Sequence, residues 1–176
     1  DALAFKDIAG MAMGTCSDPN CPTTGAVGMR GLAAQFDGVD DRVVISTSQV
    51  ITSDFTIAAW VKLNKLNATL TVMSSRQPGD SSFDFKFQNG NKIHGDIGTG
   101  AKWLATNADA DYIYQIGTWY HVAYAVTPTG YTIYVNGAQV GQGTLSGGVP
   151  LLIDATHALR LGNYDASIEQ FDGLID

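Results

Sequence analysis

In Phe83-Asp84-Phe85-Lys86-Phe87-Gln88 every second residue is phenylalanine. Only an extended strand puts three such rings on one face and Asp84, Lys86 and Gln88 on the other. Similar short runs of aromatic and β-branched residues fill the chain from Leu32 onward, each cut off by a turn signal. Strands are expected at Leu32–Phe36, Val43–Ser46, Phe55–Lys62, Leu70–Ser75, Phe83–Gln88, Lys92–Ile97, Trp103–Thr106, Trp119–Val126, Tyr131–Val135, Ala138–Gly143, Leu159–Leu161 and Gln170–Ile175. Asn89-Gly90-Asn91 reads as a hairpin turn, and Trp119 to Gly143 reads as a three-stranded meander closed by Pro128-Thr129-Gly130 and Asn136-Gly137. In Phe55–Lys62 both faces are largely apolar, so Trp60, like Trp119, is expected to anchor a core. Many short strands at close spacing predict an all-β sandwich.

Composition agrees. Glu occurs once, at Glu169, against sixteen Asp, and there are 20 Gly. Helices favour Glu, whereas Asp and Gly favour turns. With 45% hydrophobic and 15% charged residues, the chain has apolar surface enough for one sizeable core. The net charge of −7 and the absence of a basic stripe exclude nucleic acid as a partner. No run of about 18 apolar residues is present, so no membrane insertion is expected. The first residue is Asp1 rather than Met, which reads as a mature or excised fragment with other domains in a larger parent chain.

Residues 1–31 show no clear period and are expected to be irregular, with one short strand near Leu3–Phe5. In Cys16-Ser-Asp-Pro-Asn-Cys21 the Asp18-Pro19-Asn20 turn can bring the two sulfurs together. A disulfide there points to an extracellular setting, secreted or at the cell surface.

Two segments repeat the same order. Phe36-Asp37-Gly38-Val39-Asp40-Asp41 lies early, and Phe171-Asp172-Gly173-Leu174-Ile175-Asp176 closes the sequence. With Phe55-Thr56-Ile57-Ala58-Ala59-Trp60-Val61, Trp119-Tyr120-His121-Val122-Ala123, Tyr134-Val135-Asn136-Gly137 and Leu161-Gly162 between them, the chain resembles the laminin-G-like, concanavalin-A-like jelly-roll domains. The resemblance covers about residues 32–176. It implies one domain over residues 1–176, built as a two-sheet antiparallel jelly-roll β-sandwich. It also implies carbohydrate or protein partners more often than catalysis, and often a structural calcium. By the resemblance, the calcium (Ca2+) ligands are Asp7, carbonyls of the Gly10 to Gly14 turn, and Asp176. Asp37, Asp40 and Asp41 are a second acidic group, read as a turn whose carboxylates bond their own backbone.

A sugar offers an apolar face and hydroxyl edges, so its sites combine aromatic rings with charged groups. Trp103, Tyr112 and Tyr114 lie in or beside loops. Arg76, Lys86, His94 and Asp96 fall on one sheet face if 70–97 forms consecutive strands. These seven are the candidate ligand-binding residues. No catalytic residue is assigned. No strand carries two acids in alternation, and His94, His121 and His157 have no nucleophile motif. Asp84 and Asp96 are expected to be solvated even if they face each other. The expected function is a non-catalytic extracellular binding or adhesion module that recognises glycans. The alternatives are a structural or protein-interaction domain of a surface assembly, and a divergent glycoside hydrolase.

Overall fold

The structure is a computed structural model and describes residues 2–8, 10, 12–89, 91–164 and 168–176. Its strands are β1 (Ala2–Lys6), β2 (Met13–Ser17), β3 (Thr23–Val27), β4 (Leu32–Asp37), β5 (Val43–Ser46), β6 (Ile51–Thr52), β7 (Phe55–Leu63), β8 (Leu70–Ser74) and β9 (Phe83–Gln88). They continue as β10 (Lys92–Gly98), β11 (Trp103–Ala105), β12 (Ala110–Asp111), β13 (Trp119–Thr127), β14 (Gly130–Val135), β15 (Ala138–Thr144), β16 (Leu151–Ile153), β17 (Leu159–Leu161) and β18 (Asp172–Ile175). One sheet runs β1-β2-β5-β17-β8-β9-β10-β11, with β12 also paired to β10. The second runs β15-β14-β13-β7-β18-β4-β3, and β16 pairs with β6. All pairings are antiparallel, and the two large sheets form a jelly-roll sandwich.

The alternation read in β9 decides what lies between the sheets. Phe83, Phe85 and Phe87 are at most 1% exposed. Tyr124 of β13 reaches them from the opposite sheet, with its ring 5.0 Å from Phe85 and 6.1 Å from Phe83. Each such side chain contributes about 1.5–3 kcal/mol on burial. Gly95 in β10 leaves room for this crossing, since a Cβ there would stand 2.8 Å from Tyr124 Cε1. The Tyr124 hydroxyl then donates to the Ala108 carbonyl at 2.7 Å.

The two Phe-Asp-Gly segments are neighbours. Asp172 pairs with Asp37 and Gly173 with Phe36 in the β18–β4 ladder. The Phe36 and Phe171 rings meet edge to face at 5.9 Å, both 1% exposed. Gly173 has φ 152°, and a Cβ on it would collide with the Lys62 carbonyl. The motif therefore sews the last strand between β4 and β7.

Two expectations change. Residues 1–31 are not irregular: β1 and β2 extend one sheet and β3 forms the edge of the other. Their alternating patterns were too short to stand out among the glycines. The Cys16–Cys21 disulfide is present, with Cα atoms 5.2 Å apart. It closes a loop for which chain entropy gives about 2 kcal/mol. Trp60 and Trp119 are not core anchors. Phe55, Ile57, Ala59, Val61 and Leu63 take the buried face of β7, so Trp60 falls on its half-buried outer side. There it packs on His121, 5.1 Å away, while Lys62 lies 5.3 Å from the Trp119 ring. The meander is as expected, with β13, β14 and β15 consecutive. In the turn expected between β9 and β10, Gly90 lies outside the described residues, and Asn91 has φ 60°.

Candidate functional site

Strands β8, β9 and β10 are consecutive in the sheet. Because β9 sends its phenylalanines inward, Asp84 and Lys86 stand on the outer face, and the ladder register sets their neighbours. Lys86 faces His94, and Asp84 faces Asp96. Arg76 follows directly after β8, where its backbone N–H donates to Ser74 Oγ at 3.1 Å. The structure thus brings Arg76, Lys86, His94 and Asp96 together on one face.

Asp84 is the buried centre of this group, at 0% exposure. Its Oδ2 accepts from Lys86 Nζ at 3.1 Å and from Arg76 Nη1 at 3.2 Å. Its Oδ1 accepts the Asp96 backbone N–H at 3.1 Å. Lys86 Nζ also reaches Asp96 Oδ2 at 3.5 Å and Glu169 Oε2 at 3.3 Å. Arg76 Nη1 lies 3.7 Å from Asp96 Oδ2. His94 holds Asp96 Oδ1 with Nε2 at 3.2 Å. Its Nδ1 lies 2.5 Å from Asp109 Oδ1, a close charge contact rather than an aligned hydrogen bond.

Protonation follows from this packing. Burial, reinforced by the Asp96 charge, pushes the Asp84 carboxyl up to about 6, against the pull of Lys86 and Arg76. Burial would raise Asp96 too, but the His94 hydrogen bond and charge outweigh it and hold Asp96 below the ordinary value. For His94 and Lys86, burial favours the neutral form, yet the carboxylates win and both are raised. Two carboxylates in one ladder rung therefore sit in opposite electrostatic settings.

Aromatic surface adjoins the charges. The Arg76 guanidinium lies 4.3 Å from the centre of the Tyr164 ring and 5.3 Å from that of Trp103. At these distances cation–π attraction contributes about 0.5–1 kcal/mol. Trp103 thus joins the site. Tyr112 and Tyr114 do not. Tyr114 is 3% exposed, packs on Phe87 at 5.0 Å and donates to the Gln88 carbonyl. Tyr112 packs edge-on to Tyr120 at 5.8 Å. Their loop folds back beside β10 through β12, which turns both rings toward the core.

Four site members were missed in the sequence: Asp84, Asp109, Tyr164 and Glu169. Asp84 was expected to be solvated; instead the loops above cover it. Glu169 sits at φ 57°, where few non-glycine residues go. Its carbonyl accepts the Thr71 N–H at 3.0 Å, and its Oε2 accepts the Thr71 hydroxyl at 3.1 Å. Its being the only Glu in the chain was the one available signal.

The residues expected to bind calcium come from both sheets. Asp7 and Gly10 share the β1–β2 turn, and Gly14 lies inside the ladder between Phe5 and Ile45. Asp176 follows β18 in the other sheet, and its Oδ2 accepts the Arg30 N–H at 2.7 Å. Among the described residues, two groups of acids and imidazoles offer ligand atoms within 4.8 Å of one another: Asp84, His94, Asp96, and Asp37, Asp40, Asp41. In the first, Lys86 and Arg76 already neutralise the carboxylates. In the second, Asp37 accepts the Val39 N–H and Asp41 accepts the Asp37 N–H, both at 2.8 Å, so the loop bonds itself as expected.

Comparison with known proteins fits this geometry. A family model described as the concanavalin A-like lectin/glucanases superfamily (Laminin_G_3) matches residues 37–176. Domain 4 of AbnA, a GH43 extracellular arabinanase from Geobacillus stearothermophilus solved in complex with arabinotriose, superposes with a TM-score of 0.67 at 23% identity. The match covers 90% of this chain and 75% of that one. The CBM40 of a Ruminococcus gnavus sialidase, bound to α2,3-sialyllactose, gives 0.56 at 15% identity, covering 80% and 87%. The carbohydrate-binding module CBM66 from Bacillus subtilis gives 0.50 at 13%, covering 88% and 86%. At these identities the likeness is one of fold. No curated protein matches the chain. Among the described residues no helix is long and apolar enough to cross a membrane.

Proposed function

The chain belongs to the concanavalin A-like lectin/glucanase superfamily, and from that premise we propose that it is a non-catalytic, extracellular glycan-binding module. One observation carries the reading. On the outer face of β8–β10, Arg76 lies against Tyr164 and Trp103 beside Lys86, Asp96 and Glu169. Rigid donors, acceptors and an aromatic edge at one place are what a sugar ring needs. That neighbours of the same fold were solved with arabinotriose and sialyllactose supports it. The disulfide supports an oxidising, extracellular location.

The absence of catalysis is argued from Asp84. The Asp84–Asp96 pair is the one place where two carboxylates share a ladder rung at the site. A glycosidase needs an acid that reaches the glycosidic oxygen. Asp84 is fully covered and shares Lys86 with Asp96. A structural calcium belongs to the same proposal, with Asp7, carbonyls of the Gly10 to Gly14 turn and Asp176 as its ligands, drawn from both sheets. Its test is a melting temperature that rises with added calcium and returns with chelator; an unchanged value would overturn it.

The test is a glycan array with the wild-type protein and the Arg76→Ala and Trp103→Ala variants. Binding that both variants lose is the expected result. Wild-type protein that retains no glycan, or variants that bind unchanged, would overturn the assignment. Release of reducing sugar from any bound polysaccharide would overturn the non-catalytic part.

A further inference from the structure

The charge arrangement of the site restricts what kind of sugar it accepts. Its cations are Arg76 and Lys86, with His94 and Arg160 at the margin. Its anions are Asp84 and Asp96 on β9 and β10, Glu169 from the loop before β18, and Asp109 from the loop before β12. Lys86 Nζ has carboxylate oxygens at 3.1, 3.3 and 3.5 Å, and Arg76 Nη1 has them at 3.2 and 3.7 Å. Lys92, the next cation along β10, is committed to Asp109 at 3.3 Å. Arg160, on the same rung as Ser74, Asp84 and Asp96, donates to the Arg76 carbonyl at 3.2 Å and to Gln77 Oε1 at 2.9 Å. Each of these cations therefore already has an acceptor.

We propose that the site selects an uncharged sugar with adjacent hydroxyls and rejects carboxylated or sulfated ones. This rests on the glycan-binding reading above and names its ligand class. An incoming carboxylate would find each of these cations already engaged and would add a negative charge beside Asp84, Asp96 and Glu169 in a half-buried cluster, which is costly. Hydroxyls face the opposite situation. Carboxylates are acceptors only, and sugar hydroxyls are donors. Both Glu169 side-chain bonds run to Oε2, so Oε1 has no partner among the described residues. The Glu169 side chain is 23% exposed and that of Arg76 is 26% exposed. An acceptor and a guanidinium fork thus reach the surface side by side, an arrangement that suits two neighbouring hydroxyls, one donating and one accepting. The Trp103 edge beside Arg76 provides a surface for the ring's C–H face.

The experiment is calorimetric titration with neutral oligosaccharides (arabino-, fructo-, xylo- and gluco-oligosaccharides) against sialyllactose and oligogalacturonate, at about 50 and about 500 mM salt. The expected result is binding of at least one neutral sugar with affinity unchanged by salt, and binding of the acidic sugars at least about tenfold weaker. Glu169→Gln is expected to weaken the neutral sugar about tenfold, with the melting temperature recorded alongside. Acidic sugars binding best, with affinity that falls with salt, would overturn the neutral class and leave the glycan-binding reading intact. No binding to either set would overturn both. The salt arm needs only wild-type protein, so it decides even where a variant fails to fold.

Discussion

Asp84 and Asp96 face each other across the β9–β10 ladder, and the backbone N–H of Asp96 donates to the Asp84 carboxylate at 3.1 Å. The two carboxyls are pulled opposite ways, Asp84 up to about 6 and Asp96 below its ordinary value. A raised carboxyl stabilises the fold only while protonated. The Asp84 contribution is therefore present below 3.8 and lost as the pH climbs through about 6. Asp96 contributes in the other sense, present above 3.8 and lost as the pH falls. Asparagine at position 84 imitates the protonated form and does not titrate. Urea melts should therefore show Asp84→Asn gaining stability relative to wild type between pH 4 and pH 7. Parallel stability curves would contradict the raised value.

Lys86 is the only ammonium among three carboxylates and is 3% exposed. Removing one partner of a buried ion pair leaves uncompensated charge, at a cost of about 3–5 kcal/mol. Lys86→Ala should lose about that much in urea unfolding at neutral pH. It should also become stabilised by added divalent cation, since the oxygens of Asp84, Asp96 and Glu169 are left facing one another. A loss under about 1 kcal/mol would mean that the group is open to water.

Gly95 and Tyr124 form the mechanical link between core and site. The Tyr124 hydroxyl pegs Ala108, the residue before Asp109, and Gly95 exchanges backbone hydrogen bonds with Ala108 at 3.1 and 2.9 Å. Tyr124→Phe leaves the buried carbonyl with one bond fewer, worth about 1 kcal/mol. Gly95→Ala pushes into the ring and should cost about 1–3 kcal/mol. Both variants should weaken glycan binding although neither residue touches the outer face. Full affinity in a folded Gly95→Ala protein would break the link.

Trp60 and Phe85 separate the two faces of the sandwich. Phe85→Ala empties a 0% exposed position and should cost about 3–5 kcal/mol. Trp60→Ala removes a half-buried ring that packs on His121 outside the core, so it should cost well under that, about 1–2 kcal/mol. Equal losses in chemical denaturation would place Trp60 inside after all.

Period-two spacing made the sandwich legible from β4 onward, because three phenylalanines in β9 can share a face only in a strand. It also made Lys86, His94 and Asp96 legible as one surface, since hairpin partners with the same parity must point the same way. What it did not carry was depth. Trp60 sits on a strand whose two faces are both apolar in composition, and only the partner sheet decides which one is covered. Tyr114 looked available because its loop was read without β12, which folds it inward. Glu169 was invisible as a site residue because its contact with Lys86 spans 83 positions of sequence and depends on a loop conformation with positive φ. Alternation reports the face of a residue, but not what a distant loop lays over it.

The ammonium of Lys86 stands among three carboxylates. It is a counter-ion tied to the chain by covalent bonds. It cannot be diluted away, exchanged for another ion or stripped by a chelator, and its stoichiometry is fixed by translation. A surface assembled around such an ion keeps its counter-ion in media whose ionic composition varies widely. Its working range is set instead by pH, which acts on the cluster through Asp96 as acid is added and through Asp84 as it is removed.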